Sequence, residues 1–193
     1  MDLTQGTNKE KKARAKKMML WFGIASLLMG FAGWTSAYIV SSSRADWLKD
    51  FDLPSAFLFS TAIIILSSGT YILAKNAIKA NKTSLGTKWL LLTLILGITF
   101  IIIQFFGFSQ LIAQGYYFTG PTSTITMSYI FLIAAVHIVH VIAGLISLLV
   151  VLYNNIKDKY SANNMLGVEL GITFWHFLDL LWVYLILFFY FFG

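Results

Sequence analysis

Five apolar segments, each near or above the roughly 20 residues a helix needs to cross a bilayer, divide this chain of 193 residues. They fall at about 18–40, 53–74, 89–112, 127–153 and 169–192. In hydrocarbon every backbone N–H and C=O must find its partner inside the protein, and segments of this length do so as helices. The expected fold is therefore all-α, a polytopic membrane protein with five transmembrane helices. Composition agrees, with 58% hydrophobic residues, 11% charged and a mean hydropathy of +0.76.

Charge sets the expected orientation. Lys9, Lys11, Lys12, Arg14, Lys16 and Lys17 precede the first span, Lys75, Lys79, Lys82 and Lys88 flank the second connection, and Lys157 and Lys159 lie in the fourth. Arg44 and Lys49 on the other side are diluted by Asp46, Asp50 and Asp52. By the positive-inside bias the N-terminus is inside and the C-terminus outside. Residues 1–17 read as a basic cytoplasmic tail, a block of like charge that does not fold alone, and 18–193 as one transmembrane domain. The basic run leads into a full-length span rather than a short signal-peptide core, so that span is expected to remain in the membrane. The net charge of +6 comes from these flanks and not from one basic surface, so nucleic acid is not an expected partner. The chain has no Cys, which removes disulfides, thiolate metal sites, iron–sulfur clusters and covalent c-type haem.

The connections are short and carry turn residues, with Pro54 opening the second helix and Gly120-Pro121 between the third and fourth. No repeat relates the halves, which weighs against an inverted-repeat transporter. Gly23, Gly30 and Gly33, then Ser67, Ser68 and Gly69, then Ala143, Gly144 and Ser147 are the small residues expected to let helices approach. Trp21, Trp47, Trp89, Tyr116, Tyr117 and Tyr153 near span ends suit the headgroup layer.

The residues that can carry chemistry lie inside the membrane. His137 and His140 share a face of the fourth helix; His176 and Asp179 share one of the fifth, with Glu169 two turns below at its start. An Asp at the centre of a span costs roughly 2.5–3.5 kcal/mol on an insertion scale, so the fifth helix must dock against protein that partners it. Two polar faces on consecutive antiparallel helices are positioned to meet. Three readings stay open at this point. The groups hydrogen-bond across helices and fix packing; a cross-helix pair such as His140 with His176 ligates a haem, since His137 and His140 point the same way; or His176, Asp179 and Glu169 form a metal site or proton relay. Glu169 also suits a helix N-terminus without further function. No hydrolase triad, phosphate-binding glycine loop or zinc-protease helix is present.

The last helix orders Glu169, Trp175-His176-Phe177, Asp179, Trp182, Tyr190 and Gly193, and the fourth carries Ser128 followed by His137, His140, Val141 and Gly144. This resembles subunit III of the haem-copper terminal oxidases, cytochrome c oxidase subunit 3, in its short five-helix bacterial form. Leu53-Pro54, Ser67-Ser68, Thr70, Gly97, Phe100 and Gln104 are similar to bacterial members as well, and the likeness runs from Met18 to Gly193. Where the family commonly has Ser-Glu in the first helix, Ser26 is followed by Leu27, so a proton-linked role of that glutamate is absent. Ala135 and Ile138 replace family glycines, and Asn164 and Met165 stand where histidines are often found.

The resemblance implies a non-redox subunit of a bacterial cytochrome c oxidase in the plasma membrane. Such a subunit has no catalytic, cofactor-binding or metal-binding residue of its own. It packs beside the catalytic subunit I and the copper-bearing subunit II, which hold haem and copper, supports proton uptake, binds phospholipid, and enters a respiratory supercomplex. His137, His140, Ser128, Glu169, His176, Asp179, Trp175 and Trp182 then have interhelical polar and packing roles. A quinol-oxidase subunit III, a small haem-binding electron carrier and a transporter are the alternatives.

Overall fold

Each apolar segment forms one helix. The computed structural model describes residues 6–48, 51, 53–162 and 164–192; Lys49, Asp50, Asp52 and Gly193, used above, lie outside the described residues. The helices are α1 (Asn8–Ser41), α2 (Ser55–Lys79), α3 (Thr83–Ala113), α4 (Ile125–Ile156) and α5 (Leu166–Phe192), all long and apolar enough to span a bilayer. Among the described residues there is no strand, only an isolated bridge between Ser161 and Asn164. The chain is thus a multi-pass membrane protein.

α1 begins about ten residues before the apolar segment, so the basic block, expected not to fold alone, is helical as an extension of the first span. The block is not alone. Thr7 accepts a hydrogen bond from the Glu10 N–H while the Glu10 carboxylate accepts one from the Thr7 N–H, a reciprocal cap. Lys, Ala and Arg then propagate a helix already nucleated by the membrane span.

α2, α3, α4 and α5 pack side by side in a closed ring, α2 touching both α3 and α5, and α1 lies outside the ring against α4 and α5. α1 and α2 do not touch, although both pack on α5. The core is the ring's interior, filled by Phe57, Ile64, Leu90, Phe100, Trp175 and Trp182 among others. Since lipid tails are as apolar as Leu, close packing and interhelical hydrogen bonds hold this ring rather than a hydrophobic drive.

Turns fix the ring's order. Asn81 adopts φ +57, a left-handed conformation that Asn tolerates, and closes α2 by donating from its N–H to Ile78 O at 2.9 Å. Its side-chain Oδ1 accepts from Ala162 N at 3.0 Å, tying the α2–α3 turn to the α4–α5 connection. On the opposite end Leu48 N donates to Thr126 Oγ1 at 3.0 Å. Trp47 packs edge-on against Tyr38 with centroids 4.7 Å apart and is buried. Arg44 grips Asp46 through Nε–Oδ1 at 2.8 Å and Nη2–Oδ2 at 3.1 Å, and that hydrogen bond holds the Asp46 carboxyl below its ordinary range.

The small residues divide differently from expectation. A Cβ at Gly23, Gly30, Gly33 or Gly69 would meet nothing within 4 Å, so these glycines face the open surface. Ala143 is exposed too, whereas Gly144 is buried in the interface with α5. The spanning part of α1 is apolar all round, and its sequence does not mark which side packs.

Candidate functional site

The polar residues of α5 converge on α2. Residues 175, 176, 179 and 182 occupy adjacent lines along one side of α5, and the antiparallel α2 presents Thr61, Ser67 and Ser68 at matching heights. The Trp175 indole N–H donates to Ser67 Oγ at 3.0 Å and the Trp182 indole N–H donates to Thr61 Oγ1 at 3.1 Å. Between them Ser68 serves two partners: its hydroxyl donates to Asp179 Oδ2, and its Oγ lies 2.8 Å from His176 Nδ1. His176 Nδ1 and Asp179 Oδ2 are themselves 4.0 Å apart. Asp179 is 5% exposed, and its second oxygen has no hydrogen-bond partner among the described residues.

Glycines on the neighbouring helices make this seam possible. A Cβ at Gly97 of α3 would stand 2.7 Å from Trp175 Cη2, and one at Gly144 of α4 would stand 3.3 Å from Trp175 Cε3. The indole therefore fills the space between two helices that only glycine leaves open. One turn nearer the start of α5, Gly171 makes room for the Tyr71 hydroxyl, 2.5 Å from where a Cβ would be.

The two polar faces expected to meet do not. His137 is fully buried with both ring nitrogens unpaired, its ring stacked on Trp182 at 5.1 Å and edge-on to Phe31 and Phe100, each at 6.2 Å. Aromatic rings enclose it where a hydrogen-bond partner was expected. His140 turns to its own helix, with Nδ1 2.7 Å from Val136 O, and its ring lies against Phe31 at 5.7 Å. His176 lies on the α2 side of α5, so the structure does not bring His140 and His176 together as a ligand pair. The reason is geometric: α5 presents its Asp and His to α2, while Trp182 bonds to Thr61 of α2 and turns its ring face to His137 of α4.

Glu169 lies in the first turn of α5 and pairs with Lys17 of α1, Nζ to Oε2 at 2.7 Å, both half exposed. Ser128 bonds to Phe118 O at 2.7 Å and Thr124 O at 3.1 Å, holding the α3–α4 loop over the start of α4. Sequence reasoning missed the partners: Thr61, Ser60 and Thr93 were not singled out, and Ser68 was read as a packing residue. Gln104 donates to Ser60 Oγ at 2.7 Å, Thr70 and Thr93 hydroxyls lie 2.8 Å apart, and Asn155 donates to Thr87 Oγ1 at 2.8 Å. The available signal was a hydroxyl in mid-span on a helix able to reach an intramembrane Asp or an indole N–H.

Among the described residues no group of three or more His, Cys, Asp or Glu side chains is arranged to hold a metal ion. What the arrangement does chemically is hold helices together through neutral and ionisable hydrogen bonds in a medium without water.

Residues 44–193 match the family model of cytochrome c oxidase subunit III. Cytochrome c oxidase subunit 3 of Spodoptera frugiperda is 33% identical over 139 residues, covering 70% of this chain and 88% of the relative. Cytochrome bo(3) ubiquinol oxidase subunit 3 of Pseudomonas aeruginosa is 35% identical over 133 residues, and there the match covers 69% of this chain and 62% of the relative. The protein of that same name from Buchnera aphidicola subsp. Schizaphis graminum is 31% identical over 181 residues, covering 91% of this chain and 93% of the relative. That last span is longer than the residues after α1 can supply, so the likeness extends into α1.

Proposed function

The chain belongs to the cytochrome c oxidase subunit III family of the haem-copper oxidases, and from that premise we propose that it is a non-redox subunit of a bacterial cytochrome c oxidase. It stabilises the catalytic subunit and supports proton uptake while oxygen is reduced and protons are pumped. Subunits I and II carry the haem and copper. The chain sits in the plasma membrane with residues 1–17 as a basic cytoplasmic extension and 18–193 as the transmembrane domain, N-terminus inside, among phospholipids it binds and within a respiratory supercomplex.

The observation that carries this reading is how the intramembrane polar groups are used. Asp179 and His176 are bound to Ser68, Trp175 to Ser67 and Trp182 to Thr61, all between helices of this chain. His137 is walled in by Phe31, Phe100 and Trp182. Side chains so committed serve packing, and an axial ligand needs a free lone pair over open space. Orientation is supported by the pairing of Arg44 with Asp46, which cancels an outer-side cation and leaves the inner flanks as the basic ones.

A quinol donor is the second reading. It is favoured by length, because a match covering more than nine-tenths of both chains is to a subunit 3 named for a ubiquinol oxidase.

Purifying the tagged chain from native membranes in mild detergent, with a reduced-minus-oxidised spectrum and identification of its companions, tests both. Haem and copper are expected to travel with larger companions, and reduction by cytochrome c or by quinol then separates the donors. A chain that purifies without an oxidase, or that shows a Soret band alone, refutes the proposal.

A further inference from the structure

Lys9, Lys11, Lys12 and Lys16 are exposed on the first turns of α1, and among the described residues none has a hydrogen-bond or ion-pair partner. Lys17 differs, because it pairs with Glu169 of α5 at 2.7 Å. Glu10 is the one carboxylate between residues 8 and 17, and the Thr7 N–H holds it in the cap. The helix and the spacing both work against the four free charges. Lys9 and Lys12 are three apart and Lys12 and Lys16 four apart, so they share a face and repel one another. The start of a helix is its positive end, where cations are disfavoured. A helix that nonetheless keeps them there has a local conflict of the kind found at functional positions, resolved by something outside the chain.

Depth decides what that is. Lys17, Glu169 and Trp21 line one hollow between α1 and α5, and an ion pair beside an amphipathic indole suits the headgroup layer. At about 1.5 Å per residue, Lys12 and Lys9 stand about 14 and 18 Å beyond Trp21, and a tilt near 20° removes only about 1 Å of that. The headgroup layer is about 5–8 Å deep, so these amines lie past it. Over a Debye length of about 8–10 Å the potential of an anionic leaflet has largely faded as well. From Lys9 to Lys16 the line of amines runs about 10 Å along the helix, which fits a row of carboxylates on a protein better than one small anion.

We propose that residues 8–16 of α1 dock against an acidic segment of a companion subunit on the inner side of the membrane, with its carboxylates on Lys9, Lys12 and Lys16. The proposal rests on the reading of the chain as an oxidase subunit and adds the chemistry of one contact. Lys11 points away from the shared face of the other three, so it stays in water.

The test uses the assembled complex and a zero-length carbodiimide, which joins an amine to a carboxylate only where the two touch. A crosslink from Lys9, Lys12 or Lys16 to an Asp or Glu of one companion polypeptide is expected, fading at about 1 M salt, where the Debye length is about 3 Å. No such crosslink in a complex that still carries its haem overturns the inference and leaves the functional reading standing. A chain that brings no haem-bearing companion sinks the functional reading, and the inference with it. Trypsin separates protein from lipid as the partner. It should cut residues 8–16 of the purified chain in phosphatidylcholine vesicles with or without phosphatidylglycerol, and spare them in the complex. Protection by phosphatidylglycerol alone gives these lysines to the membrane and overturns the inference. On dilution into detergent at low salt, Lys9→Gln with Lys12→Gln is expected to lose the companion about twofold to thirtyfold faster than the parent, the range of two exposed ion pairs. Both changes relieve the repulsion within α1, so a faster loss is not a loss of helix. Lys11→Gln removes a charge from the other face and is expected to match the parent. Equal rates for the double variant and Lys11→Gln contradict the docking face.

Discussion

Ser68→Ala is the substitution that probes the α2–α5 seam most sharply, because one hydroxyl holds two α5 side chains. It removes the hydroxyl that pairs with His176 Nδ1 and bonds Asp179 Oδ2. Asp179 is already without a partner on its other oxygen, so the variant leaves a 5% exposed carboxyl with none. Interhelical hydrogen bonds in membranes average about 0.6 kcal/mol and reach about 1.7 kcal/mol. A buried polar group left unpaired adds a penalty of about 1–3 kcal/mol. The expected loss is therefore about 1–3 kcal/mol, read by denaturant titration of the purified chain in mixed micelles with tryptophan fluorescence. Because the two residues act as one unit, Ser68→Ala and Asp179→Asn together should fall short of the sum of the single losses by about 1 kcal/mol. A Ser68→Ala chain within about 0.3 kcal/mol of the parent, or effects that simply add, refutes the claim that this hydroxyl anchors the seam.

Gly97→Ala is expected to destabilise by about 1–3 kcal/mol, since its Cβ would press within 2.7 Å of the rigid Trp175 ring and 2.8 Å of Leu145 Cδ2. Gly30→Ala meets nothing within 4 Å and should be neutral or stabilising by up to about 1 kcal/mol in the same titration. Lys17→Gln breaks an ion pair that is half in solvent, so thermal stability should move by less than about 1 kcal/mol, and less still at high salt. Reporter fusions at the two ends should place the N-terminus inside and the C-terminus outside; the reverse labelling contradicts the proposed orientation.

Helix number and class were readable because twenty apolar residues have one solution in a bilayer, and α2 to α5 begin and end within several residues of their apolar stretches. The start of α1 was not, because the Thr7–Glu10 cap lies in a charged stretch where like-charge repulsion argued against a helix. Within the site, Asp179 announced that it needed a partner, but periodicity names a face and not the neighbour that face meets. Adjacency in sequence suggested α4; ring closure placed α2 beside α5, so Ser68 took the bond and His137 was left among rings. The glycines show a similar limit. Gly97 and Gly144 accommodate Trp175 while Gly23, Gly30 and Gly33 face outward, and spacing alone does not tell the two sets apart.

The central claim is that this chain supports an oxidase without holding any of its redox centres. Stripping the chain from the purified complex and then measuring haem and copper per catalytic subunit, with oxygen uptake followed through successive turnovers, tests it directly. Unchanged haem and copper, with uptake that starts near normal and decays sooner than in the intact complex, is the expected result. Loss of haem or copper in proportion to the chain removed would contradict the account.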